Sequence, residues 1–132
     1  MKPSDILIER KRQVYNLLND FPKIMGVEAI NHFKGSFRNG GFTDSGLVKW
    51  RPRKSLRDSG RAILVKTGDL KNSIRVKNYF KNGVTISSDS VYGEYHNMGT
   101  NRLPQRKFIG NSSRLNTRLK YILRERFKII FR

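Results

Sequence analysis

The Asn-Gly pair at residues 82 and 83 commits the middle of this chain to an antiparallel hairpin. Ile74-Arg75-Val76-Lys77-Asn78-Tyr79 alternates apolar and polar residues, as a strand with one covered face must. Lys81-Asn82-Gly83 supplies the turn, and Val84-Thr85-Ile86-Ser87 returns as the partner strand. Asn-Gly suits such turns because both central residues take a positive φ.

On either side the apolar spacing changes to that of helices. Ser4-Asp5 is a suitable cap for a first helix reaching about Asn19, with Leu7, Val14, Leu17, Leu18 and Phe21 on its buried side. Pro22 has no N–H to donate and disfavours helix at Phe21. It therefore kinks that helix or opens a second one, for which Asn19 or Asp20 is the cap. Ile24, Val27, Ala29, Ile30 and Phe33 continue the stripe toward Phe37, and Gly40-Gly41 closes the helical region. At the far end Leu115, Leu119, Ile122, Leu123 and Phe127 repeat at helical spacing behind a cap at Asn111 or Ser112.

The remaining segments are short. Ile63-Leu64-Val65 reads as a strand and Thr67-Gly68-Asp69 as a turn. Val91 to Asn97 fits a strand or a short helix ended by Gly99, residues 100–107 a basic loop, and Phe108-Ile109-Gly110 a last strand. The expected fold class is α+β: an N-terminal helical region, a small antiparallel β-sheet with a long basic loop, and a C-terminal helix in one domain over 1–132.

That loop, residues 38–61, spans 24 residues without periodicity and carries Arg38, Lys49, Arg51, Arg53, Lys54, Arg57 and Arg61 against Asp44 and Asp58. Structureless stretches of this length are usually functional or ordered by a partner, and order on a partner is expected here. The whole chain has 28 Lys and Arg against 10 Asp and Glu, a net charge of +18. Such a chain seeks a polyanion or an acidic protein surface. With 36% apolar residues its core should be modest, leaving part for a partner to cover. There is no cysteine, hence no disulfide or thiolate metal site. Only three apolar residues precede Glu9-Arg10-Lys11-Arg12, too few for a signal peptide, so synthesis in the cytoplasm is expected, with no membrane role.

Catalytic signals are sparse. Hydrolysis usually needs paired carboxylates, a nucleophile with its base, or a metal cluster, and the acids here are scattered. His32 stands on a helix without a second ligand nearby and reads as a surface or packed histidine. His96 lies among Tyr92, Glu94, Tyr95 and Asn97, which a small basic ribonuclease could combine with Arg102 or Arg106. The plainer reading has His96 and Asn97 hydrogen-bond the turn before Gly99. Phosphate-loop, dinucleotide and metalloprotease motifs are missing, so no cofactor or metal is expected. Lys49-Trp50-Arg51-Pro52-Arg53-Lys54 offers cations and an aromatic, either to hold phosphates and stack on a base or to anchor the loop while its cations stay solvated. On the last helix Lys120, Arg124 and Lys128 make one basic row, and Arg114 with Arg118 another.

Taken in order, the motifs resemble a known family. His32-Phe33 and Phe37 are followed by Gly40-Gly41-Phe42 and the Trp50-Arg51 loop. Leu64 and Thr67-Gly68-Asp69-Leu70-Lys71-Asn72-Ser73-Ile74 lead to the hairpin with Val84 and Ile86. Tyr92 and His96-Asn97-Met98-Gly99 come next, then Pro104-Gln105-Arg106-Lys107-Phe108-Ile109-Gly110 before Ser112 and the terminal helix. Over about residues 25–125 this resembles the phage virion morphogenesis, or tail completion, family, which includes proteins of Mu-like phages. The joint pattern is Thr-Gly-x-Leu-x-x-Ser-Ile, Tyr-x-x-x-His-Asn-x-Gly and Pro-x-Arg-x-Phe-Ile-Gly.

The resemblance implies a non-enzymatic virion protein, assembled in the host cytoplasm, that finishes the tail so that it joins the DNA-filled head. It implies a homo-oligomeric ring, sixfold to match a tail tube, beside the tail terminator, tail tube and head–tail connector or portal proteins, with possible backbone contact to DNA in the channel. Partner- or DNA-facing candidates are Lys49, Trp50, Arg51, Arg53, Lys54, Arg57, Arg102, Arg106 and Lys107. The motif positions Gly68, Leu70, Ser73, Tyr92, His96, Asn97, Gly99, Pro104, Phe108 and Gly110 set the fold, and no catalytic residue is carried over. Two other functions compete: a nucleic-acid backbone binder of the ribosomal or DNA-packaging kind, and the small toxin-type ribonuclease.

Overall fold

A computed structural model describes residues 2–52 and 68–132. The expected strand Ile63-Leu64-Val65, Thr67 of the following turn, and the candidates Arg53, Lys54 and Arg57 lie outside the described residues. The fold is α+β: a long N-terminal helix, two small antiparallel sheets and a C-terminal helix.

Helix α1 runs unbroken from Pro3 to Asn39, about 55 Å at 1.5 Å per residue. The expected cap at Ser4-Asp5 is not used. Lys2 takes the cap position, so Pro3 enters the first turn, where a missing N–H loses no helical bond. Pro22 likewise opens no second helix, and Asn19 and Asp20 are helical rather than capping residues. The carbonyl that Pro22 cannot satisfy belongs to Leu18, an exposed residue that water reaches. Gly40 closes the helix at φ 68°, donating its N–H to the Ser36 carbonyl.

Only the second half of α1 reaches the core. Pro22, Gly26, Ala29, Phe33, Ser36 and Phe37 form its buried stripe. Leu7 and Leu18, expected inside, are exposed, and so is Val27. The stripe is displaced toward small residues because the second hairpin crosses there. A Cβ on Gly26 would lie 3.1 Å from Val76 and 3.6 Å from the Tyr79 ring.

The stretch expected as an irregular loop begins as a hairpin, β1 (Gly41–Thr43) against β2 (Leu47–Lys49). Its register pairs Gly41 with Lys49, Phe42 with Val48 and Thr43 with Leu47. Gly41 is required by close approach: a Cβ there would stand 2.3 Å from the Val48 carbonyl oxygen. A short helix, α2 (Asp69–Asn72), follows Gly68 and leads into the second hairpin, β3 (Ile74–Phe80) and β4 (Gly83–Ser88). Val76 pairs with Ile86 and Asn78 with Thr85, leaving Lys77 as a bulge. The extra residue restores Tyr79 to the α1 side despite the broken alternation.

The segment from Val91 resolves as a helix, α3 (Gly93–Met98), and α4 (Ser113–Ile130) closes the chain. Ala29, Phe33, Phe37, Phe42, Trp50, Ile74, Phe108 and Leu115 form the core. Phe37 sits at its centre, edge-on to Trp50 at 5.6 Å and tilted against Phe108 at 5.4 Å. Among the described residues no helix is long and apolar enough to cross a membrane.

Candidate interaction surface

Residues 104–110 are the keystone of the motif region, and Phe108-Ile109-Gly110 at their end is not the strand its sequence suggests. The backbone groups a ladder would use are taken by other partners. Arg106 donates its N–H to the His96 carbonyl at 2.7 Å, and the Lys107 carbonyl accepts the Trp50 indole N–H at 2.8 Å. The amides of Phe108 and Ile109 both point at Asn97 Oδ1, at 2.9 and 3.0 Å. Two N–H donors on one atom identify it as the carboxamide oxygen. The Arg106 guanidinium donates to the Arg51 carbonyl at 2.9 and 3.3 Å, tying the strap to the chain after β2. Pro104 opens the strap. Near its end a Cβ on Gly110 would first meet the Lys107 side chain.

Gly99 lets α3 turn into this strap. Its φ is 77°, and a Cβ there would lie 3.0 Å from the Gln105 amide nitrogen. On the other side of α3, Ser73 donates to the Leu70 carbonyl at 2.6 Å and meets Ser88 Oγ at 2.5 Å. Since the Ser73 proton is used on that carbonyl, Ser88 is the donor between the two hydroxyls. Leu70 packs on the core. The three motifs thus meet as one connected frame around Phe108.

A second node joins β1 to α4. Ser112 Oγ lies 2.7 Å from the Thr43 carbonyl oxygen and 3.0 Å from His32 Nε2, and accepts the Leu115 amide at 3.2 Å. His32 Nε2 is itself 3.0 Å from that carbonyl. A carbonyl only accepts, so both Ser112 and the His32 Nε2–H donate to it. The pair resembles a serine with its base, yet Ser112 is 1% exposed and the nitrogen facing it already carries a proton. It is a helix cap. Asp44 completes it by accepting the Ser113 amide at 2.8 Å, and this backbone bond above all holds the Asp44 carboxyl below its ordinary range.

His96 is half-buried, and its Nδ1 has no hydrogen-bond partner among the described residues. Burial first, and the Arg106 cation second, depress its pKa. Among the described residues no carboxylate orients it. The described residues contain no group of three or more His, Asp or Glu placed to hold a metal.

Among the described cationic candidates, Lys49 and Lys107 share one cleft with Phe42, Asp44, Val48, Trp50 and Gln105. Lys49, Arg51 and Arg102 are exposed, whereas Arg106 is committed to the strap. Lys107 Nζ sits 4.8 Å above the Phe42 ring. Trp50 leaves the set of stacking candidates altogether: it is 7% exposed and packed on Phe37. Sequence reasoning named Tyr92, Tyr95 and Met98 as motif positions or neighbours of His96, but not as a surface. Val91, Tyr92, Tyr95 and Met98 are all exposed, Met98 at 67%. Tyr95 and Met98 stand three residues apart on one face of α3, while Val91 and Tyr92 lie in the turn just before it. Compared with family models, with curated proteins and with solved structures, the chain matches none.

Proposed function

We propose that this chain is a structural subunit at the head-proximal end of a phage tail, forming a ring that completes the tail and joins it to the head connector. The observation that supports this reading is the frame around Phe108. The positions that carry the family resemblance are spent on holding α3 and the strap, with Asn97, Gly99, Arg106 and Phe108 all in structural roles. Next in sequence to that frame Val91, Tyr92, Tyr95 and Met98 are exposed apolar residues, followed by the exposed Arg102. Apolar faces rimmed by polar groups are contact surfaces for other proteins. The first half of α1 adds exposed Leu7, Ile8, Tyr15 and Leu18, a further face for a neighbouring subunit. A ring subunit meets neighbours on both sides, which accounts for apolar surface in two separate places. The reading assigns no reaction and no cofactor to the chain.

Electron microscopy of lysates from a phage with this gene interrupted tests the proposal. Free tails beside filled, tailless heads are expected. Normal infectious particles would overturn it.

A further inference from the structure

Helix α4 carries six Lys or Arg and one acid between Ser113 and Ile130. Leu115, Leu119, Ile122 and Leu123 turn inward, which leaves Thr117, Lys120, Tyr121, Arg124 and Lys128 on the opposite, exposed arc. Lys120, Arg124 and Lys128 follow one another at four-residue steps, so they stand about 6 Å apart along the axis. Lys120 and Arg124 have no acidic partner among the described residues. Lys128 meets Glu125 at 3.1 Å in an exposed pair, which water and salt readily exchange. Arg118, at the edge of the arc, pairs loosely with Glu28 at 3.6 Å.

We infer that this outward face of α4 binds the phosphate backbone of duplex DNA. A protein interface requires an apolar centre depleted of charge, and this arc has only Tyr121. A row of three cations, two of them without an acidic partner among the described residues, flanked by Thr and Tyr hydroxyls offers the donors that take phosphate oxygens. Nothing in the arc is arranged to read base edges, so the binding is independent of sequence. The inference deepens the tail reading by naming the surface turned toward DNA, and it rests on that reading only for where the DNA is met. Binding by the purified chain and the lysate micrographs therefore fail independently.

The test is fluorescence polarisation of a labelled 20-base-pair duplex with the full chain over a salt series. The variant Lys120→Ala/Arg124→Ala/Lys128→Ala keeps helix propensity, and its unfolding midpoint reports that it folds. Each phosphate contact contributes about 0.9 to the slope of log affinity against log salt, so the variant's slope should be shallower by about 2.7. Between 50 and 200 mM salt the wild-type chain should accordingly lose about 40-fold more affinity than the variant. A control, Lys11→Ala/Lys23→Ala/Lys77→Ala, removes the same charge elsewhere and should keep nearly the wild-type slope. Equal changes in both variants, or none in the α4 variant, would overturn the inference. Polyglutamate bound as tightly as the duplex, with the same loss on substitution, would overturn it in favour of an acidic protein.

Discussion

Asn97 holds Phe108 in the core through a single atom: its carboxamide oxygen accepts the amides of Phe108 and of Ile109 beside it. The backbone of the strap has no ladder partner there, so the side chain replaces one. Asn97→Ala leaves both donors unpaired, and an unmade bond at a buried group costs about 1–3 kcal/mol. A loss of about 2 kcal/mol or more is expected in urea unfolding, with Asn97→Asp retaining most of the stability because a carboxylate accepts both amides. Equal losses in the two variants would show that the acceptor is not what matters.

Trp50 gives a second test of the same frame, because it is the only tryptophan in the chain. Its ring is in the core and its indole N–H is used on the Lys107 carbonyl. Emission should be blue-shifted and poorly quenched by acrylamide, and added DNA should leave it unquenched. Trp50→Phe keeps the aromatic packing and loses the bond, at a cost of about 1 kcal/mol. Trp50→Ala also opens a cavity and should cost about 3–5 kcal/mol. Strong quenching by nucleic acid would instead mean that the ring stacks on bases.

The Trp50 environment also illustrates what a sequence discloses. The second hairpin was legible because alternation is local, although its turn falls on Lys81-Asn82 and Gly83, without a positive φ, already belongs to β4 and pairs with Phe80. The cap at Asn111 or Ser112 and the α4 stripe were legible for the same reason. What escaped depends on distant partners. Phe108-Ile109-Gly110 has strand composition, but Asn97 and Trp50 consume its hydrogen bonds. Pro22 is a helix breaker by local rules, yet it is itself buried and the Leu18 carbonyl it leaves unpaired lies at an exposed position, so α1 runs through. Leu7 and Leu18 have core spacing but meet no core, since the sheets lie against the other half of the helix. In the candidate surface, the residues of α3 were visible as motif positions while their outward direction was not.

His96 makes stability depend on pH in a defined sense. Burial and Arg106 hold its pKa below the ordinary 6.5. The unfolded chain therefore binds the proton more readily than the folded one. Stability is full above about pH 6.5, falls as pH drops from there to the depressed folded pKa, and levels off below it. Asp44 acts in a lower window, since its depressed carboxyl stabilises the fold above the ordinary 3.8 and that contribution is lost as pH falls toward its folded pKa. Urea midpoints measured from pH 7.5 to 5 should decline for the wild-type chain and remain flatter for His96→Asn. An identical decline in both would place the titrating group elsewhere.

Under the proposed tail role, the outward face of α3 should separate assembly from folding. Tyr95 and Met98 are exposed, so Tyr95→Asp and Met98→Asp should each change stability by about 0.5 kcal/mol or less. Their cost should appear when a neighbour covers them, because burying an unpaired carboxylate in an apolar contact is strongly unfavourable. Complementation of an interrupted gene with these variants should yield folded protein that fails to enter particles, and free tails should accumulate. Phe108→Ala, by contrast, removes a side chain with 0% exposure and should cost about 3–5 kcal/mol, so it loses assembly by losing the fold. If the aspartate variants enter virions at the wild-type copy number, α3 is not the contact. The exposed stripe of Leu7, Tyr15 and Leu18 on α1 then becomes the surface through which a subunit of this shape meets its neighbour.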